Sequence, residues 1–291
     1  MRVVRFVSPD TPRPAVGRFD ADGIRPVGVA SMAALLRMRV AEIRAVLEAA
    51  ASEVPVQDAR LLAPVDGRTE VWAAGVTYQR SLVARRQKSR LPSVYDLVYE
   101  AERPELFFKA PAWRVVTDGE AIAVRGDSED NVPEPELALV VTAGGEVAGF
   151  TVCNDVSSRS IEGANPLYKS QAKCYDSSCA LSAGWRPAWE VPDPQVLSIW
   201  AMVLREGECA WTDTTTTGTL HRRLDDLVVH LRRELTFPDG VVLSTGTGLV
   251  PPRSFSLLPG DVVAIEIEEV GFLRTPTVAG RWAPADASVA H

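Results

Sequence analysis

The sequence predicts an α+β fold rich in strands, with a small α/β module over residues 1–65 followed by a larger β-rich domain over residues 66–291. Apolar runs of strand length recur from Val71 onward between Gly- and Pro-rich turns, which is the mark of a β-rich body. Ahead of them, two short strand-like runs lead into a single helical stretch. With 291 residues, 46% of them hydrophobic, the chain can bury one large core, or a large one and a small one.

In the leading module, MRVVRFV and GRFDADGIRPV read as strands with a turn at Asp20 to Gly23, and SMAALLRMRVAEIRAVLEAAA reads as one helix. LLAPVDGR makes the join. VWAAGVTY, AIAVRG, the hairpin around ELALVV, LSIWAMVLRE, VVLSTGTG and DVVAIEIEEV then read as strands. Two helical stretches interrupt them: the basic RSLVARRQKSR leading into VYDLVYEAERP, and GTLHRRLDDLVVHLRREL. The second sets Leu220, Leu224, Leu227, Val228, Leu231 and Leu235 on one stripe, either core or subunit contact, with Thr214 to Thr217 as the loop entering it. The basic run Arg80, Arg85, Arg86, Lys88 and Arg90 is either a solvated helix face or a lid that closes over an anionic ligand.

A net charge of −7 and a pI near 5.2 leave no electrostatic footprint for nucleic acid or an anionic membrane, so the expected partner is a small molecule. No apolar run approaches the roughly 20 residues of a membrane span, and MRVVRFVSPD is too short and too charged for a signal peptide. The expected location is the cytoplasm. Cys153, Cys174, Cys179 and Cys209 form no CxxC pair and no zinc-module spacing with His221 or His230, so they are expected to be free and mostly buried thiols.

The chemistry concentrates in NVPEPELALVVTAGGEVAGFTVCNDVSSRS. Glu134 and Glu136 alternate with Pro135, so on a strand they share one face. A two-residue Gly144-Gly145 turn pairs Ala143 with Glu146, which sets Glu136 opposite Cys153 and Glu134 opposite Asp155. Directly opposed residues lie roughly 5 Å apart. Three carboxylates that close repel one another unless a cation sits among them, and three hard oxygen donors with no histidine nearby suit Mg²⁺, with Mn²⁺ or Ca²⁺ as alternatives. An exposed hairpin face with solvated acids is the competing reading, and a bulge in the hairpin would break the geometry.

GVTYQRS, ELFFKA, EPELALVV, GFTVCNDVSSRS, LSTGTG and LLPGDVV, in this order, resemble the fumarylacetoacetate hydrolase superfamily from about Val71 to Thr277. Within it, NPLYKSQAKCYDSSCAL and GTGLVPP are most similar to the branch of 2-keto-3-deoxy sugar acid dehydratases. The resemblance implies a mixed β-sandwich or roll, Mg²⁺ on Glu134, Glu136 and Asp155, and Lys173 in the site. It also implies that Thr247, with Gly246 in the STGTG turn, holds a substrate carboxylate. The superfamily's subunit pairing, with the apolar stripe, gives a homodimer or a dimer of dimers as the expected assembly.

One departure separates reaction classes. Hydrolases of the superfamily carry a histidine three residues after the motif tyrosine and a glutamate three further on; here those positions are Ser81 and Ala84. The chain's histidines, His221, His230 and His291, lie far downstream, two of them on the second helical stretch. A metal-assisted elimination needs only an acid and a base beside a 2-keto acid. Glu105 and Lys173 are the candidates, Glu105 competing with a helix-end surface acid and Lys173 with a solvated loop lysine. The expected activity is therefore dehydration of a 2-keto-3-deoxy aldonic acid to a dioxo acid. A C–C bond hydrolase of the acylpyruvate type and a 2-keto acid decarboxylase are the alternatives.

Overall fold

The Pro135–Val141 and Val147–Asp155 strands lie at the centre of a mixed sheet. The computed structural model describes residues 1–9, 11–88 and 92–281. The large sheet runs, edge to edge, through strands Glu105–Pro111, Glu70–Gly75, Val241–Ser244, Pro135–Val141, Val147–Asp155, Cys179–Leu181 and Val115–Val116. A second sheet, Glu208–Thr216, Ser198–Arg205, Val262–Ile267, Gly271–Ala279 and Ile122–Val124, packs against it. Leu137, Leu139 and Val152 from the first sheet meet Ile199, Ala201, Val203 and Ile265 from the second in one buried cluster.

The opposite face of the large sheet is covered by the leading module. Its four strands, Gly23–Pro26, Thr11–Asp20, Arg2–Ser8 and Arg60–Leu62, form a separate antiparallel sheet. The single helix expected after them is two, Met32–Leu36 and Val40–Ala49. The break has a local cause: Glu42 folds back to accept the Arg39 backbone N–H at 2.8 Å, which starts a new helix there. Met32, Leu35, Leu36, Ile43 and Leu47 share one buried cluster with Ala138, Val140, Ala148 and Trp185 of the large sheet.

The gap between the two helices also receives the hairpin turn. The Leu36 carbonyl accepts the Ala143 N–H at 2.8 Å, and Glu146 accepts the Val40 N–H at 3.1 Å. Arg232 donates to the carbonyls of Thr142 and Ala143. Gly145 has φ +93°, and a Cβ there would come within 2.7 Å of the Arg232 guanidinium, so the turn needs glycine at this point for two reasons. The turn itself is not the two-residue one expected. Thr142, not Ala143, pairs with Glu146, which lengthens the loop by one residue. A bulge at Ala148 then restores the expected register, and Glu136 faces Cys153 as the alternation requires.

Two further expectations are corrected here, and one that left two alternatives is decided. Thr214 to Thr216 do not form a loop but end the Glu208–Thr216 strand, which pairs with Ser198–Arg205. His221 lies ahead of the helix, which spans Leu224–Arg232, so only His230 is helical among the described histidines. The apolar stripe is core and not a subunit contact: Leu224, Leu227, Val228 and Leu231 are buried in the cluster between the sheets, Leu220 packs on its edge, and Leu235 is exposed. Leu227→Ala should therefore cost about 2–5 kcal/mol in urea denaturation and leave the sedimentation behaviour of the folded protein unchanged.

Candidate active site

Glu134, Glu136 and Asp155 each offer a carboxylate oxygen, and these oxygens lie within 4.8 Å of one another. The hairpin delivers them: Asp155 donates its backbone N–H to the Glu134 carbonyl at 3.0 Å, and Glu136 follows on the same face. All three are buried. Burial is what makes the cluster costly, because neither water nor salt screens it. Glu136 shows the strain most plainly: burial, then Asp155, Cys153 and Glu134, hold its carboxyl well above the usual carboxylate range. Its Oε2 accepts the Ser244 hydroxyl at 2.6 Å and the Gly246 N–H at 2.8 Å. Gly246 thus meets a member of the triad. Fixed, dry and oxygen-only, the triad fits a hard divalent cation.

Two buried lysines frame the triad. Lys173, the last residue of the Lys169–Lys173 helix, places Nζ 2.7 Å from Glu134 Oε2, 2.8 Å from Asp155 Oδ2 and 2.5 Å from Ser157 Oγ. Burial alone would lower its pKa, but Asp155, Glu134 and Glu162 outweigh it and raise the ammonium well above its usual range. Lys173 is therefore charged here. Lys109 lies 2.5 Å from Asp155 Oδ1 and donates to the carbonyls of Val156 at 3.0 Å and Lys173 at 2.5 Å. Burial raises the Asp155 pKa, yet the two lysines bring it below its ordinary value.

Beside the triad opens a pocket lined by Ser81, Ala84, Arg85, Tyr95, Glu162 and Thr247, with Val132, Leu249 and Pro251 as an apolar wall. Ser81 and Ala84, which stand where hydrolases carry a water-activating dyad, thus face the cavity. No histidine lines it among the described residues. The Thr247 hydroxyl is engaged with its own turn, accepting from the Leu249 N–H and donating to the Leu249 carbonyl, both at 3.1 Å.

The basic run divides. Arg80 and Arg86 are about half exposed and pair with Asp213 and Asp96. Arg85 turns inward, pairing with Glu162 and reaching Glu134 at 3.6 Å, while the Lys88 side chain and Arg90 lie outside the described residues, as does His291. Glu105 is not at a helix end: it opens the Glu105–Pro111 strand and pairs with Lys169. Lys109, Glu162 and Lys169 were missed in the sequence, where ELFFKA and NPLYKSQAK were legible as motifs but gave no sign of which lysines are buried, and Arg85 was read there only as one member of the basic run.

A model of the family described as "Fumarylacetoacetate (FAA) hydrolase C-terminal" matches residues 70–278. A probable 2-keto-3-deoxyxylonate dehydratase of Haloferax volcanii is 46% identical over 257 residues, covering 87% of this chain and 88% of that protein. The 2-dehydro-3-deoxy-D-arabinonate dehydratase of Saccharolobus solfataricus is 39% identical over 225 residues, covering 76% and 75%. The solved structure of a 2-keto-3-deoxy-D-arabinonate dehydratase complexed with magnesium and 2,5-dioxopentanoate superposes with a TM-score of 0.83 at 33% identity, over 97% of this chain and all of that one.

Two outcomes follow from the geometry. Saturating Mg²⁺ at about 100 times its Kd should stabilise the wild type by about 2.7 kcal/mol in thermal melting. Glu136→Gln should lose that gain and melt no lower than the wild type in EDTA, since it removes one of three repelling charges. The second concerns Glu162, whose carboxyl burial would raise but Arg85, Lys173 and Lys169 hold down to about 2. A depressed carboxylate adds stability above its ordinary value of 4.5 and loses it as pH falls toward 2. The melting temperature of wild type minus that of Glu162→Gln should accordingly shrink across that interval.

Proposed function

Because the chain belongs to the fumarylacetoacetate hydrolase family, we propose that its buried triad and adjoining pocket serve a small anionic 2-keto acid. The protein is a magnesium-dependent dehydratase of 2-keto-3-deoxy sugar acids such as 2-dehydro-3-deoxy-D-arabinonate, and its product is a dioxo acid. The observation that carries the residue roles is the pairing of a fixed oxygen-donor triad with one carboxylate oxygen left bare, Glu105 Oε2, and one firmly protonated amine, Lys173.

Glu134, Glu136 and Asp155 would hold the ion, which would supply a Lewis acid for the C2 carbonyl of the substrate. Glu105 takes the C3 proton. The electron pair left at C3 forms the new double bond as the C4–O bond breaks, and Lys173 supplies the proton with which the hydroxyl leaves as water. The unsaturated product then rearranges to the dioxo acid. Thr247 releases the Leu249 carbonyl to donate to the substrate carboxylate, and Gly246 acts beside it by fixing Glu136. The apolar wall keeps bulk water from the reacting carbons.

The same reading places the enzyme in the cytoplasm, which suits its four free cysteines. Among the described residues no helix is long and apolar enough to cross a membrane. Assembly as a homodimer or a dimer of dimers rests on the prevalence of two-fold pairs, the helical stripe being buried. Light scattering that gives a monomer at micromolar concentration overturns it.

Incubation with a panel of 2-keto-3-deoxy acids and Mg²⁺ should give products lighter by one water, and EDTA should abolish turnover. Glu105→Gln should lower kcat by roughly 10²–10⁴-fold while Mg²⁺ still binds. Cleavage of acylpyruvates with every 2-keto-3-deoxy acid left intact would sink the dehydratase reading, and normal turnover by Glu105→Gln would remove that residue from the mechanism.

A further inference from the structure

The Glu105–Pro111 strand and the Lys169–Lys173 helix meet through one face of each. Glu105 and Phe107 occupy alternate strand positions and so point the same way, and Lys109 stands at the bulge where the strand's pairing shifts register between Val71 and Trp72. Lys169 and Lys173, four apart, share one side of the helix. The two faces interlock in order. Lys169 pairs with Glu105 Oε1; the Lys169 and Lys173 ammonium groups lie over the Phe107 ring, 4.8 and 5.5 Å from its centroid; and Lys109 takes the Lys173 carbonyl at 2.5 Å. Of these residues the reaction above uses only Glu105 and Lys173.

The two oxygens of Glu105 are treated differently. Oε1 is held by Lys169, whereas Oε2 is buried and has no hydrogen-bond partner. Gly75 lies directly across the strand pair, and a Cβ built there would run into Oε2, so the missing side chain makes room for the bare oxygen. Lys169 is itself held on its other side by Glu162, at 3.9 Å, and is mostly shielded from solvent. A buried carboxylate without Lys169 would keep neither its rotamer nor the distinction between its two oxygens.

We infer that Lys169 is a positioning residue for the dehydration, gripping Glu105 by Oε1 so that Oε2 alone is presented to the C3 proton. The inference rests on the dehydratase reading above. Its consequence is kinetic, because a reacting group displaced by about 1 Å costs on the order of 10²-fold in rate. Methionine at 169 retains an apolar stem against Phe107 but lacks the ammonium, so it removes the grip while sparing the packing.

The test compares wild type, Lys169→Met, Lys169→Gln, Lys169→Arg and Glu105→Gln. Two rates are read: dehydration of a 2-keto-3-deoxypentonate, and deuterium exchange at C3 of 2-oxobutanoate in D₂O followed by proton NMR. The second substrate has C3 protons but no C4 hydroxyl, so exchange reports proton removal alone. Lys169→Met and Lys169→Gln should lose about 10–100-fold in both rates, with KM within about threefold of wild type, and Lys169→Arg should recover most of the loss. Mg²⁺ affinity by calorimetry should stay that of the wild type. Rates within about twofold of wild type in both neutral variants overturn the inference. So does a fall in Mg²⁺ affinity that matches the fall in kcat, or a loss of elimination with exchange intact. An inactive Glu105→Gln beside a fully active Lys169→Met removes Lys169 and leaves the dehydratase reading standing. A wild type inert toward every 2-keto-3-deoxy acid removes both.

Discussion

Three carboxylates brought within 4.8 Å of one another inside the protein are the constraint that the rest of the structure answers. At an effective dielectric of about 20, two unit charges at that separation repel by roughly 3.5 kcal/mol, and a third carboxylate adds two further repulsions of that kind. A stable fold therefore has to deliver positive charge to the same volume. It does so from three directions: Lys109 from the edge strand of the large sheet, Lys173 from a short helix, and Arg85 from the Gln79–Lys88 helix. Each of those cations is itself buried or nearly so, which ties three distant segments of sequence to one point. Removing any of them would leave an uncompensated charge in a dry site, the costlier half of a broken buried pair.

The balance of charge also bears on what the site accepts. Of the pocket's lining, Glu134 and Glu162 are acidic and Arg85 and Arg159 basic, with Glu136, Asp155, Lys109 and Lys173 packed beside Glu134. The ion-free site is thus close to charge balance, and a divalent cation leaves it positive and suited to an anionic 2-keto acid. A second carboxylate on the substrate would find Arg85 already paired with Glu162 and Glu134, and Arg159 already bonded to the Pro251 carbonyl at 2.7 Å. The electrostatics thus agree with an aldonic acid, whose remaining groups are neutral hydroxyls.

How much of this was legible in the sequence depended on whether a signal was local. Alternation along Glu134, Pro135 and Glu136 is a property of any strand, and it placed the pair correctly. The register that brought Asp155 beside them was right for a reason the sequence did not disclose: a loop one residue longer than Gly144-Gly145 suggests, and a bulge at Ala148, cancel. The bulge is set by tertiary contacts, since the turn is clamped by Leu36, Val40 and Arg232. The strand over Thr214 to Thr216 was decided by its pairing with Ser198–Arg205, whereas the helix break at Arg39 is local, made by Glu42 folding back on the Arg39 N–H. Lys109 and Lys169 were hidden for a different reason. A lysine in an apolar motif has the same composition whether it reaches solvent or turns inward, and only the packing of strand against helix distinguishes the two.

The positions of Ser81 and Ala84 give the reaction class its structural content. Both line the pocket from the helix that also carries Arg85, so whatever stands there faces the substrate. An imidazole and a carboxylate at these places would put a water-activating base beside a 2-keto acid, and hydrolysis would then compete. A hydroxyl and a methyl do not activate water at neutral pH. The described histidines do not replace them, since His221 stacks on Tyr99, with ring centroids 4.2 Å apart, and His230 lies on the Leu224–Arg232 helix, neither of them among the pocket's lining residues. On the mechanism proposed above, Glu105 with its bare oxygen and the charged Lys173 ammonium are the base and the acid, and that pair suits the loss of water from a substrate far better than the addition of one.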